Sequence, residues 1–347
     1  MSIIISLFNH KGGVGKTTNA FHLAWKFSEM NKKVLMVDAD PQCNLTGLTL
    51  GVNDYDTLLR FYSSGRNNNL YTSLKPFFEG TMTEVNAQEE ITATKNPNLY
   101  ILPGHVDTAT FDDEISTAIK IARKNNMYRL YPLVGMYYNL IKKTAALNEI
   151  DIVVIDMSPS ISATNICLLM GSDYFILPTA PDFFSHQAID SLSRIIPMWP
   201  DQISTFRDDI ILPRKNPKML GTILQNYRRY SRDGEKSMAK AFGKWASRIR
   251  KLTKDKLVVE LLKKDMIIPE AKFREFVHHD EPYNLGEIQN FNTLIAKSQE
   301  YSLPIYCLTE ENLNLKGNPL SNSLENIEEA NRRYSEMAES ILNLVNN

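Results

Sequence analysis

Residues Ile3 to Thr18 read IIISLFNHKGGVGKTT. The apolar run from Ile3 to Phe8 has the continuous hydrophobicity of a parallel strand buried on both faces. A glycine-rich turn follows, His10-Lys11-Gly12-Gly13-Val14-Gly15-Lys16-Thr17. The residues after it predict a helix from about Thr17 to Met30. Strand, glycine-rich loop and helix start, in that order, are the context of a phosphate-binding loop. Backbone N–H groups from Gly12 through Gly15, Val14 included, can turn toward an anion, and the helix N-terminus adds positive potential. In such a loop Lys16 neutralises the β- and γ-phosphates, and Thr17 offers its hydroxyl to Mg²⁺ with Thr18 beside it.

Two further strands end in carboxylates. Lys33 to Asp38 carries VLMVD and runs into Ala39-Asp40-Pro41-Gln42. Asp151 to Ser160 reads DIVVIDMSPS, four apolar residues delivering Asp156. Acidic residues just past a strand's C-terminal end lie where open α/β sheets keep their ligands. Shorter strands are predicted at Asn98 to Pro103, Tyr174 to Pro178, Leu220 to Gln225 and Met266 to Pro269. Helices are predicted at Phe111 to Asn125, Leu130 to Leu147 and Leu320 to Val345. The expected fold is α/β: a mostly parallel twisted sheet flanked by helices on both faces, with helical insertions.

The usual phosphate loop has Gly where His10 stands, and Lys11 is an additional lysine. This loop resembles the deviant Walker A motif, KGGxGKT, of the ParA/MinD superfamily, and it matches every fixed position. The resemblance implies a P-loop NTPase fold and the cofactors ATP and Mg²⁺. It implies that Lys11 reaches across a dimer interface to the partner's nucleotide, that Asp40 orients the attacking water, and that Asp38 lies near the metal shell. Asp156 corresponds to the Walker B residue that holds Mg²⁺ through water, although Ser158 replaces a proline common in the family. Pro178 to Ser185 resembles the family's P-x-x-P-E segment, with Asp182 for Glu. Asn226 takes the place of an adenine-contacting asparagine, and Pro269 that of an "IP" element whose backbone lies near the base. Glu287 to Glu300 with Leu303-Pro304-Ile305 resembles a family helix and turn.

The length of 347 residues and 43% hydrophobic content suit one large α/β domain spanning 1–347. Insertions are expected at about 53–97 and 228–264. Cys43, Cys167 and Cys307 are too few and too far apart for a metal or disulfide framework, which fits a cytoplasmic protein. No charged leader precedes the first strand, and no apolar run reaches the roughly 18 residues that span a bilayer.

Net charge is −1, but its distribution is polarised. From Arg214 to Lys264 there are 16 Lys/Arg against 4 Asp/Glu, a net of +12, and the remainder carries −13. Met238, Phe242, Trp245, Ile249 and Leu252 recur at helical spacing as one apolar stripe. Lys236, Lys240, Lys244, Arg248 and Lys251 fall on the opposite face. Arg228, Arg229 and Arg232 precede them, interleaved with Tyr227 and Tyr230. These eight cations are the candidate DNA contacts, since phosphate-backbone binding needs clustered charge and no base readout. A solvated or protein-binding face and a membrane surface are the alternatives. The final helix argues against the membrane, because Glu325, Glu328, Glu329, Glu336 and Glu339 outnumber Arg332 and Arg333.

The expected function is a ParA-like ATPase. It forms a homodimer on ATP, binds DNA non-specifically at the nucleoid, and is reset by slow, partner-stimulated hydrolysis during plasmid or chromosome partitioning. The chain opens at the first strand without a DNA-reading domain, so a separate centromere-binding adaptor is expected. The alternative is a regulatory or positioning switch whose basic insertion binds a protein or RNA.

Overall fold

The computed structural model describes the chain apart from residues 1, 53, 64–67, 126–129, 208–210, 228, 233–234, 239, 278, 280 and 347. Its elements follow the hydrophobic pattern. Strand β1 (Ile3–Leu7) enters helix α1 (Lys16–Glu29), which returns to β2 (Val34–Ala39). Next come α2 (Asn44–Leu50), α3 (Tyr55–Ser63), α4 (Leu70–Phe78), β3 (Thr92–Ala93) and β4 (Leu99–Leu102). Helices α5 (Phe111–Asn125) and α6 (Tyr131–Leu147) lead to β5 (Ile152–Met157) and α7 (Ala163–Met170). Strand β6 (Tyr174–Thr179), α8 (Phe183–Ile195), the short α9 (Trp199–Gln202) and β7 (Lys218–Tyr227) follow. A hairpin of β8 (Arg229–Arg232) and β9 (Glu235–Met238) precedes α10 (Lys240–Leu252), α11 (Val259–Leu262) and α12 (Glu270–Phe276). The chain closes with β10 (Asn284–Gln289), α13 (Thr293–Tyr301), α14 (Glu310–Leu313) and α15 (Asn318–Asn346).

Eight strands form one sheet in the order β10-β7-β6-β1-β5-β2-β4-β3, parallel except for the β3–β4 pair. Strand β1 sits inside it, so all its residues after Ile3 are buried. That explains a run with no polar alternation. The register places Asp38 opposite Asp156 across β2 and β5, and Leu7 opposite Asp156 across β1 and β5. Three strands therefore end at one level and deliver two carboxylates to the phosphate loop.

Helix α1 is buried nearly all round because it lies between the sheet and α15. Helices α5, α6 and α7 pack on one another as a separate layer. The 53–97 stretch forms α3, α4 and β3, with Leu70 and Leu74 fully buried.

Three sequence expectations are corrected. Met238 and Lys236 lie on β9, not on a helix, so the apolar stripe starts at Phe242. The 4, 3, 4, 3 spacing cannot reveal that break, because Met238 fits the periodicity by chance. Glu287 lies in β10, and the helix expected from there starts at Thr293. Strand β10 was unread because its sequence, NLGEIQ, carries a Gly and lacks an apolar run. Pro269 lies near the wrong end of β7: Ile267 bridges to Met219 at the start of that strand, whereas the ligand side is its far end at Asn226.

Candidate nucleotide site

The phosphate loop is held from below before any ligand is considered. Asn9 is fully buried; its amide donates to the Pro178 carbonyl at 2.8 Å, and its Oδ1 accepts from the Lys11 N–H at 3.0 Å. The asparagine thus staples the loop to β6. Gly15 caps α1 with φ of 78°, and a Cβ there would come within 1.4 Å of Gln225 Oε1. The positive φ favours glycine at this position, and any Cβ would also require the Gln225 side-chain amide to swing aside.

Lys16 is 6% exposed and donates to the Lys11 carbonyl at 3.3 Å. Burial lowers its pKa, while Asp156 and Asp40 pull the other way. Thr17 Oγ1 donates to Asp156 Oδ2 at 2.6 Å. Asp38 Oδ2 accepts from both the amide and hydroxyl of Thr46, at 2.7 and 2.6 Å. The second oxygen of each aspartate, Asp38 Oδ1 and Asp156 Oδ1, is buried with no hydrogen-bond partner. Burial raises both carboxyls above the usual range, Asp38 to about 7. Orphaned carboxylate oxygens beside a threonine hydroxyl suit a hard divalent cation, which takes few protein ligands and fills its shell with phosphate and water. The donor set therefore fits Mg²⁺. Asp40 is 7% exposed, and its Oδ1 accepts from the Gln42 amide at 3.0 Å.

Lys11 points away from this cradle. Its Nζ lies 2.5 Å from Asp182 and 3.0 Å from Ser185 Oγ. The loop after β5 is fixed by Asn165, whose amide donates to the carbonyls of Ser158 and Ser160 at 2.9 and 2.8 Å. The two serine hydroxyls sit 2.7 Å apart. The Ser158 substitution thus comes with its own hydrogen-bonded clamp.

These groups open on a cavity of about 850 Å³. Gly12, Gly13, Lys16, Thr17, Thr18 and Asp40 line one end. Asn226, Ile288, Gln289, Phe291, Ile305 and Tyr334 line another part. Asn226 has φ of 60° and reaches the Gly13 carbonyl at 3.5 Å. Pro269 is not among the described lining residues. Asn9, Asn165, Gln225 and the wall from β10 to α15 were not singled out from sequence. Asn9 and the wall residues act through partners distant in the chain, and the Asn165 clamp depends on how the loop after β5 folds back on α7, which nothing in the local sequence marks.

The basic insertion docks on α8. Trp245 packs edge-on against Phe183 with ring centroids 5.8 Å apart, and Ile249 is buried. Lys244, Arg248 and Lys251 are exposed, and the Arg248 guanidinium lies 4.9 Å from the Trp245 ring centre. Arg228 lies outside the described residues. Arg229 and Arg232 fall on β8, Lys236 on β9 and Lys240 at the start of α10; their side chains lie outside the described part.

A phosphate loop whose lysine and threonine face strand-end aspartates, at the carboxyl edge of a parallel sheet, defines a P-loop nucleotide-binding protein. The AAA domain family model matches residues 2–206, and the chain belongs to that family, among the P-loop ATPases of ParA/MinD type. It is similar to an uncharacterized protein of Methanocaldococcus jannaschii, 27% identical over 68% of this chain and 78% of that one. The chromosome partitioning protein ParA of Caulobacter vibrioides is 27% identical over 56% of this chain and 61% of its own length. Soj, the sporulation initiation inhibitor of Bacillus subtilis, is 26% identical over 59% of this chain and 69% of its own. The match thus spans less than two thirds of the Caulobacter protein. Among solved structures, a Corynebacterium diphtheriae protein aligns with a TM-score of 0.63 at 22% identity, covering 86% of this chain and 97% of that one. The pnob8 ParA structure aligns at 0.59 and 20% identity over 100% of this chain and 99% of that one. At these identities they establish the fold. Among the described residues, no helix is long and apolar enough to cross a membrane.

Proposed function

We propose that the chain is an ATP-hydrolysing switch that binds DNA non-specifically as an ATP-dependent dimer and acts in partitioning. The observation that supports this most directly is that Lys16 and Thr17 line the cavity, with the Thr17 hydroxyl bonded to the buried Asp156 carboxylate. Backbone amides from Gly12 to Thr18 and the Lys16 ammonium bind the phosphates of ATP. Thr17, Asp38 and Asp156 would hold Mg²⁺, which would supply positive charge against those phosphates. Asp40 accepts a hydrogen bond from the attacking water and orients it. Lys11 leaves Asp182 to meet the partner's nucleotide. Hydrolysis is slow alone and is accelerated by a separate adaptor.

Lys244, Arg248 and Lys251 give the exposed face of α10 three cations for phosphate-backbone contact. The test is DNA binding with ATP, with ADP and without nucleotide across a salt series, for wild type and a Lys244→Glu/Arg248→Glu/Lys251→Glu variant. Binding only with ATP, with a steep salt slope that the variant loses, supports the proposal. Absence of binding in every state overturns the DNA reading and leaves the exposed basic face as a protein-docking surface.

A further inference from the structure

His22 lies on the buried side of α1, one turn past the phosphate loop, and is 1% exposed. The Ile305 backbone N–H donates to its Nε2 at 3.0 Å. That nitrogen must therefore be the acceptor, which assigns the ring proton to Nδ1, 2.7 Å from the Thr18 carbonyl. The imidazole stacks on the Tyr334 ring at 4.7 Å. Tyr334 in turn donates to Asn19 Oδ1 at 3.3 Å, and the Asn19 amide donates to the Gly15 carbonyl at 3.0 Å.

These contacts close a circuit. One side is the phosphate cradle, through Gly15 and Thr18. The other is the cavity wall formed by Ile305 and Tyr334. Those two wall residues come from segments about three hundred positions later in the chain, and the His22 side chain touches both. Its two ring nitrogens have fixed, opposite roles, so the ring can satisfy both segments in one arrangement only.

We propose that His22 is a positioning residue that sets the separation between the phosphate cradle and the wall facing the rest of the nucleotide. The inference rests on the nucleotide-site reading above. Replacing the ring removes its bond to the Ile305 N–H and its stack on Tyr334, so the wall is held to the cradle through the Tyr334–Asn19 bond alone among these contacts, while the groups placed against phosphate stay unchanged. Binding of the base and ribose should weaken while phosphate binding persists.

The test is calorimetric binding of Mg-ATP and of inorganic tripolyphosphate to full-length wild type, His22→Leu and His22→Gln. In His22→Leu, loss of both buried hydrogen bonds should weaken ATP about tenfold and leave tripolyphosphate within about twofold. His22→Gln keeps one donor and one acceptor but not the ring stack, so its ATP-to-tripolyphosphate ratio should fall between the two. Should His22→Leu bind neither ligand, the ratio in His22→Gln decides alone. Equal weakening of both ligands, or an unchanged ratio, overturns the inference by showing a merely structural histidine. A wild type that binds neither ligand overturns the nucleotide-site reading itself, and this inference with it.

Discussion

The Asp182 carboxylate serves two masters: one oxygen lies 2.5 Å from Lys11 Nζ, and the other accepts from the Ser185 N–H at 2.7 Å, capping α8. The lysine that distinguishes this loop is thus tethered to the first turn of a helix on its own chain. Two substitutions separate the roles. Asn caps helices about as well as Asp, so Asp182→Asn should keep the melting temperature and release Lys11. Asp182→Ala should also cost about 1 kcal/mol of stability. If the tether competes with dimerisation, Asp182→Asn should dimerise at lower ATP concentration, read by light scattering. An unchanged ATP dependence would show that the tether does not hold back the dimer.

Lys16→Ala removes the buried ammonium of the cradle, and Asp40→Ala leaves that cradle intact. The first should abolish ATP binding; the second should bind ATP and fail to hydrolyse it. Calorimetry with a phosphate-release assay distinguishes them. Full ATP affinity in Lys16→Ala would refute the cradle assignment.

Asn165 is 1% exposed and holds the Ser158-Pro159-Ser160 loop from one amide. Asn165→Ala leaves the half-buried Ser158 and Ser160 carbonyls short of a donor, a cost of about 1 kcal/mol. Chemical denaturation measures that loss. Because Pro159 borders the cavity, hydrolysis should fall further than ATP affinity.

Burial pushes the His22 imidazole down from 6.5 to about 4. Lys26 on its own helix and the Tyr306 and Tyr334 rings packed against it face the same site, and none supplies a negative charge. The unfolded chain therefore binds this proton more readily than the fold does. The group's contribution is fully present above pH 6.5 and is lost as pH falls toward 4, by about 3 kcal/mol. Urea unfolding at pH 7 and pH 4.5 should show a drop in wild type that is smaller in His22→Leu. Equal drops would assign the acid sensitivity to other groups.

Much of the sheet was legible because buried parallel strands are written as continuous apolar runs, as in β1 and β5. The phosphate loop was legible because its chemistry is local: a turn, a lysine and a hydroxyl within a few residues. The apolar stripe from Phe242 to Leu252 was read correctly as a docked helix face, and its extension back to Met238 was not. Periodicity counts residues without sensing where a hairpin interrupts them. Pro269 was misplaced for a related reason, since a short apolar stretch does not say which end of a neighbouring strand it joins.

The amino-acid sequence by itself determined the class of sheet, the phosphate loop, and the carboxylates Asp38, Asp40 and Asp156 at strand ends. Each of these follows from short-range hydrophobic pattern or turn chemistry. Only the tertiary structure decided that Lys11 rests on Asp182, that Asn165 clamps the loop after β5, and that His22 joins the phosphate cradle to Ile305 and Tyr334. The longest of those relationships link groups about three hundred positions apart. A polar side chain's partner across such a distance is set by how the buried elements pack, because each buried donor and acceptor must find its match wherever the fold brings one.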